Sequence, residues 1–410
     1  MKAKLWGLFV WIFIVSFFGF AQKEELGEIG AIYNAALSPD GGLLAVSRSG
    51  GIVVYSSPTL EAVGKVVEEG TPWALTFSPG GNLLACGTST GAVVVVEIPD
   101  VVVKERFQAT NGYIWGLSFS PDGLSLATSS WDGDVSVWDT RFWERTFIAH
   151  LEDKVWSVAF SPDGRSLAVG TSDGLVLFPL SARRQPIEEQ VGEGIWSLSF
   201  VPGAGLVVAG GERGRVFLWD PAADTLRELP GHRAAVWDLA VSPDGKYLLS
   251  VSLDATARLW ELPQGYPVAV LSHAAPLRLG AFSTDGFLTV SERGDVVHWN
   301  LGELLGLRPR ITRVAYSSQV KVGRTQYVSV FFTDADANVS RAVLRLVQGR
   351  KTDISVSPGL DFPLGVYGRR RGSFLFSVAL KTPTEVVLEL YLVDARGLWS
   401  PPYELHLGPR

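Results

Sequence analysis

A four-residue turn recurs along the first three-quarters of the chain. Ser-Pro-Asp-Gly begins at Ser38, Ser120, Ser161 and Ser242. Ser-Pro-Gly-Gly begins at Ser78, Ser-Thr-Asp-Gly at Ser283, and a degenerate Val-Pro-Gly-Ala at Val201. Successive starts lie 40, 42, 41, 40, 41 and 41 residues apart. A fixed period of this size means stacked copies of one unit, each burying its apolar face against its neighbours. The units read as strands. An apolar run such as Lys154–Phe160 enters the turn, where Pro pre-sets φ and Asp and Gly close it. A short strand (Ser166–Gly170), a tight turn (Ser172-Asp173-Gly174), a third strand and a less regular fourth complete the unit.

Four strands in about 41 residues is the size of a propeller blade. The unit ends carry more information. Trp138-Asp139 and Trp219-Asp220 are followed by the near matches Trp260-Glu261 and Trp299-Asn300, and Gly231-His232 precedes blade six. Period, turn and dipeptide together resemble the WD-repeat (WD40) β-propellers over about residues 22–300. Blades two and four depart from the pattern, with Val95-Val96 and Phe178-Pro179 at the dipeptide position. The resemblance implies an all-β ring of seven blades, closed by lending an N-terminal strand to the last blade. The seventh unit lacks a fourth strand, and Glu24–Ile29 is strand-like and lies upstream of the first blade. Closure of this kind removes an edge that would otherwise invite aggregation.

The chain has 410 residues, enough for two or three domains. Lys2 and Lys4 precede seventeen uncharged residues, Leu5–Ala21, ending in small residues. This layout predicts a signal peptide over 1–21, cleaved after Ala21, or else a kept membrane anchor. The propeller is expected over 22–300 and a Leu/Gly/Pro/Arg linker over 301–310. Residues 311–410 alternate without the period, at Ile311–Tyr316, Tyr327–Thr333, Ala342–Val347, Ser373–Ala379, Val386–Val393 and Tyr403–Leu407. Strands in that number suit an immunoglobulin-like β-sandwich. Val393–Pro401 resembles the last turn and strand of bacterial immunoglobulin-like modules. Residues 301–410 carry net +6 and residues 22–300 net −14, within a total of −6. Arg369-Arg370-Arg371 is either an ordinary surface loop or a means of docking on the acidic ring or an anionic surface.

Little in the chain points to catalysis. A net charge of −6 implies no nucleic-acid partner. Cys86 is the single cysteine and histidines number five, so neither a disulfide nor a multi-cysteine metal site is available. Asp334, Asp336 and Asn338 alternate as in a calcium loop, but Val339 and Arg345 stand where such a loop needs Gly and Glu. His298 and His406 are isolated. No cofactor or metal is expected. His232, Ser252, Asp254 and Trp260 contain the residues of a catalytic triad. The family resemblance instead implies a buried structural tetrad, and no nucleophile elbow accompanies the serine. Other blades keep only part of the set, as in Ser130, Asp132 and Trp138, or His273, Ser291 and Trp299.

One repeat position stands out. Counting back five residues from each turn gives Tyr33, Trp73, Trp115, Trp156, Trp196, Trp237 and Arg278. In a propeller this is the start of the innermost strand, at one mouth of the central channel, which the family commonly uses for ligands. Trp131, at the second-to-third strand turn of blade three, is expected on the same face. Alternatively, Trp156, Val158 and Phe160 alternate onto one face of their strand, and Trp156 extends the core between blades. Both readings fit the sequence. The expected function is a non-catalytic exported scaffold that binds a protein or peptide through this mouth, in a periplasm, at the cell surface or outside the cell. A membrane is contacted only through an uncleaved leader. A glycan-binding module using the same ring is the alternative, with a lactonase-type propeller enzyme behind it.

Overall fold

The computed structural model describes residues 21–26, 30–57, 59–68, 70–180, 185–229, 231–316, 318–334, 338–364 and 370–409. Residues 22–300 form seven four-stranded antiparallel sheets, six of them with strands in sequential order. The four Ser-Pro-Asp-Gly turns are locked by their own side chains. Ser120 Oγ donates to Asp122 at 2.6 Å, and Ser125 N donates back to Ser120 Oγ at 2.9 Å. Ser161–Asp163 and Ser242–Asp244 repeat the bond at 2.6 and 2.7 Å. The glycine that follows sits at positive φ, +72° at Gly123, a conformation that L side chains resist. Apolar side chains then pack between neighbouring blades. Leu44, Val46 and Val53 of blade one, for example, meet Leu279, Leu288 and Val296 of blade seven.

The ring closes as expected, but with a strand three to four residues earlier than anticipated. Ala21–Glu25, not Glu24–Ile29, pairs antiparallel with Asp295–Asn300, from Ala21 opposite Trp299 to Glu25 opposite Asp295. The partner decides the register. Lys23 Nζ lies 2.8 Å from Asp295, and Leu26 turns into the core between blades seven and one. Residues 27–29 and the leader, residues 1–20, lie outside the described residues. Ala21, taken as the last residue of the leader, is itself part of the closing strand.

The expected linker is not a loop. Leu301–Gly306 is a helix capped by Asn300, whose Oδ1 accepts from Glu303 N at 2.9 Å, and Leu304 is fully buried. All six alternating stretches of the C-terminal region are strands, and three short ones join them. They form two sheets. Arg310–Ala315, Gln326–Thr333, Arg371–Leu380 and Ile354–Ser357 make one; Gln319–Val320, Tyr403–Pro409, Val386–Asp394, Val339–Gln348 and Asp361–Pro363 make the other. Val330, Phe332 and Phe376 from the first share one core with Leu344, Leu390 and Leu405 from the second. Asp334 Oδ2 accepts from Asn338 N and Val339 N; Asp336 and Arg369 lie outside the described residues.

The sandwich is latched to blade six by backbone pairing. The segment after Val386–Asp394 runs along the blade's outer strand, Tyr266–Ser272. Val270 N donates to Gly397 O at 2.9 Å, and Trp399 N donates to Val268 O at 2.8 Å. Leu398 between them is fully buried in the blade's core, and Arg308 Nε donates to Trp399 O at 2.6 Å. Gly397 has φ +87°, and a Cβ there would lie 2.4 Å from Val270 O. Apolar burial and main-chain bonds dominate this contact; Arg308 and Glu261 at 3.9 Å add an ion pair. Leu398→Glu, which puts a carboxylate into that core, should cost about 3–5 kcal/mol. Limited proteolysis should then cut within residues 300–316 in the variant and spare them in the wild type; equal resistance would mean that the latch does not hold the two parts together.

Candidate functional site

The seven residues of the ring share one backbone feature. In every blade the pairing of the innermost strand with the second skips one residue. The skipped residues are Tyr33, Trp73, Trp115, Trp156, Trp196, Trp237 and Arg278. In blade four, Val155 pairs with Thr171 and Ser157 with Gly170, leaving Trp156 in the bulge. A bulge redirects its side chain, so the alternation from Trp156 to Phe160 is broken. None of the seven belongs to a core cluster between blades, whereas Val158 and Phe160 do. The residue before each bulge is apolar and buried, from Ile32 to Leu277.

The bulged side chains pack on one another around one mouth of the channel. Successive ring centroids lie 5.1 Å apart for Tyr33–Trp73, 4.9 Å for Trp73–Trp115 and 5.7 Å for Trp115–Trp156. The series continues at 5.3 Å for Trp156–Trp196 and 5.7 Å for Trp196–Trp237. Arg278 ends it, with its guanidinium 4.1 Å above Trp237 and 3.1 Å from Glu292. Desolvation lowers the Arg278 pKa, and Glu292 opposes that shift. Trp131 joins where it was expected, 5.8 Å from Trp115 and 5.7 Å from Trp156. Lys154 Nζ lies 4.4 Å over Trp131, and the exposed Tyr113 meets its edge. The girdle is therefore widest over blades three and four. The buried indole N–H groups of Trp115, Trp156 and Trp196 have no hydrogen-bond acceptor among the described residues, which a purely structural ring would carry at a cost.

The tryptophans leave about 40 Å³ between them, room for no more than a few waters. Below them the channel widens to about 330 Å³ and runs past Thr76 and Phe77 to Pro39 in the first turn. The residues that follow the bulges are Asn34, Ala74, Gly116, Ser157, Ser197, Asp238 and Leu279, and four of them staple adjacent blades. Asn34 Nδ2 donates to Trp73 O at 2.7 Å, Ser157 Oγ to Ile195 O at 3.0 Å, and Ser197 Oγ to Val236 O at 3.2 Å. Asp238 reverses the sense and accepts from Gly280 N at 3.1 Å. The sequence reading missed this position, although the aligned repeats display it one residue beyond the ring.

The tetrad exists with one member exchanged. His232 Nδ1 faces Asp254 at 3.2 Å and Thr256 at 2.8 Å, and Nε2 faces Ser250 Oγ at 2.8 Å. Trp260 Nε1 donates to the same Ser250 Oγ at 3.2 Å. Ser252 instead donates to Ala234 O at 2.9 Å and accepts from Asp254 N at 3.0 Å. Pairing explains the exchange. Trp260 lies opposite Leu248, and its ring reaches the next residue on that face, Ser250, while Ser252 ends the strand. Blade three does the same with Trp138 and Thr128 at 3.2 Å, and blade seven with Trp299 and Thr289 at 3.0 Å. His150 serves blade three, 2.9 Å from Asp134. Blade five replaces the set with Glu193 and Arg215 at 2.6 Å. Burial pushes the His232 pKa down, against the pull of Asp254, and takes His273 down to about 4. A neutral His232 that donates from Nδ1 to Asp254 and accepts from Ser250 satisfies every member of the network. Among the described residues, no group of three or more His, Cys, Asp or Glu side chains could hold a metal.

Comparison with known proteins fits this geometry. The family model described as WD domain, G-beta repeat matches residues 102–139, 143–178, 185–220 and 223–261. Each match runs from the outer strand of one blade to the third strand of the next, so a sequence repeat staples two blades. WD repeat-containing protein 36 of Homo sapiens is 39% identical over 67 residues, 16% of this chain and 8% of that protein. Nuclear distribution protein PAC1 of Arthroderma benhamiae is 42% identical over 73 residues, 17% and 15% of the two chains. Set1 complex component swd2 of Schizosaccharomyces pombe is 41% identical over 70 residues, 17% and 19%. The chain spans less than a fifth of the length of each of these relatives.

Proposed function

Because the chain belongs to the WD-repeat β-propellers, we propose that it is a non-catalytic scaffold that holds a protein or peptide partner on the face of the ring bearing the aromatic girdle. The observation that carries this reading is the sevenfold bulge. It takes five tryptophans and a tyrosine out of the core between blades and gathers them at one mouth. Large aromatic side chains at a rim, with polar groups among them, are what interface hot spots are made of. Trp131, Tyr113 and Lys154 extend the surface over blades three and four. A relative named as a component of a complex is in keeping with this role. Lys2 and Lys4 ahead of Leu5–Ala21 support export, which the mass of the mature N terminus tests.

The functional test compares partner capture by the wild type with capture by Trp131→Ala and Trp156→Ala. Each substitution should weaken retention by about 2 kcal/mol or more. Both proteins should keep a folded circular dichroism spectrum. Unchanged capture by two folded variants would remove the girdle from the binding surface.

A further inference from the structure

We propose that the central channel behind the girdle is a site for an alkylammonium group, with Asp238 as its counter-ion and the tryptophan faces as its cap. The inference rests on the girdle face being the working surface, and it names the chemistry which that surface accepts.

Charge distribution is the first support. Among the described residues that line the 330 Å³ channel, Asp238 is the ionisable one; the rest are apolar, hydroxyl or amide side chains. Its oxygens accept from Leu239 N at 2.9 Å and Gly280 N at 3.1 Å, and no ion pair joins it among the described residues. Arg278, one blade away, is turned to Glu292 and the face of Trp237. A half-buried carboxylate with no counter-ion beside it is costly to keep ionised, and a cation that enters offsets that cost.

The repeat itself supplies the second support. Asn34 occupies the same position in blade one and accepts from the next residue's N–H, as Asp238 does, while also stapling the neighbouring blade. The blade-one residue therefore staples its neighbour without a charge, whereas Asp238 brings a carboxylate to the same position. Enclosure pushes the Asp238 carboxyl up to about 6, the mark of a charge held against its surroundings. The cap is the third support. Trp115, Trp156, Trp196 and Trp237 line the channel together with Asp238, and aromatic rings are favourable neighbours for an ammonium group.

The ammonium group has two possible sources, a small free amine entering from the turn end or a lysine side chain presented by the partner at the girdle. Calorimetric titration of the full chain at pH 8 uses n-butylammonium, its neutral analogue 1-butanol, and Nα-acetyl-lysine methylamide. Saturable binding of n-butylammonium, with 1-butanol at least roughly tenfold weaker, is expected; Asp238→Asn should abolish that preference while the circular dichroism spectrum stays folded. Tighter binding of the lysine derivative than of n-butylammonium assigns the site to a partner's side chain, and the reverse assigns it to a free amine. Equal binding of amine and alcohol, or equal amine binding by wild type and Asp238→Asn, would overturn the inference. If Trp156→Ala still loses partner capture in that case, the scaffold reading stands without it.

Discussion

A protein that begins at Gly30 is expected to aggregate where one that begins at Ala21 stays monomeric. The shorter chain lacks Ala21–Glu25 and Leu26, and with them the fourth strand of blade seven. The strand Asp295–Asn300 then presents an unpaired edge that includes Val296, Val297 and Trp299, all buried in the closed ring. Such an edge is a template for pairing with another chain. The loss also removes Leu26 from the core between blades one and seven and Lys23 from Asp295. Together these should amount to roughly 4–5 kcal/mol, and at about 2 °C per kcal/mol for a chain of this size the melt should fall by about 10 °C. Size-exclusion chromatography beside thermal melts reads both effects. Monomeric elution with an unchanged melt would mean that the ring does not depend on this strand.

What was legible in the sequence was local, or repeated often enough to reveal itself. The turn motif could be read because a Ser–Asp pair such as Ser120 and Asp122 bonds within one turn, four times over. The closing strand was legible in kind but not in place. Glu24–Ile29 looks extended, yet the register is set by Asp295 and by the pocket for Leu26, both distant in sequence. The ring residues were visible as a repeat position, whereas their bulge was not, because a bulge belongs to a pair of strands. A signal was present all the same. Ile114-Trp115, Val155-Trp156 and Ile195-Trp196 put two large apolar residues side by side, which a strictly alternating strand facing one core does not do.

Other differences have the same origin. Gly302–Arg310 read as a linker from its Gly, Pro and Arg content. Leu301, Leu304 and Leu305 nevertheless follow helical spacing and pack on the core of blades six and seven. The family resemblance puts Ser252 in the tetrad. The partner of Trp260 is fixed by cross-strand geometry, which selects Ser250. Asp238 escaped notice because, taken alone, it is one acidic residue among many. Its meaning comes from the channel that closes around it.

Asp254→Ala should be the most damaging single substitution in blade six, at about 3–5 kcal/mol, because it leaves a buried polar network without its acceptor. The Asp254 carboxylate takes His232 Nδ1 at 3.2 Å, Thr256 Oγ1 at 2.6 Å, Thr256 N at 2.9 Å and Arg233 N at 2.8 Å. Its pKa is depressed, with the His232 and Thr256 bonds overcoming desolvation. A carboxyl with a lowered folded-state pKa stabilises above its unfolded value of 3.8 and loses that contribution as pH falls further. The gap between wild type and variant should therefore be full at pH 7 and narrow as the pH drops below 3.8. Two serine variants separate the assignments within the network. Ser250→Ala strands both His232 Nε2 and Trp260 N–H and should cost about 2 kcal/mol, whereas Ser252→Ala removes a bond to Ala234 O and should cost about 1 kcal/mol. Urea midpoints of the three variants measure the order. If Ser252→Ala proves the costlier serine change, the bracing chain does not run through Ser250. If a fully folded Ser252→Ala protein loses partner capture, the serine is part of the working surface and not only of the brace.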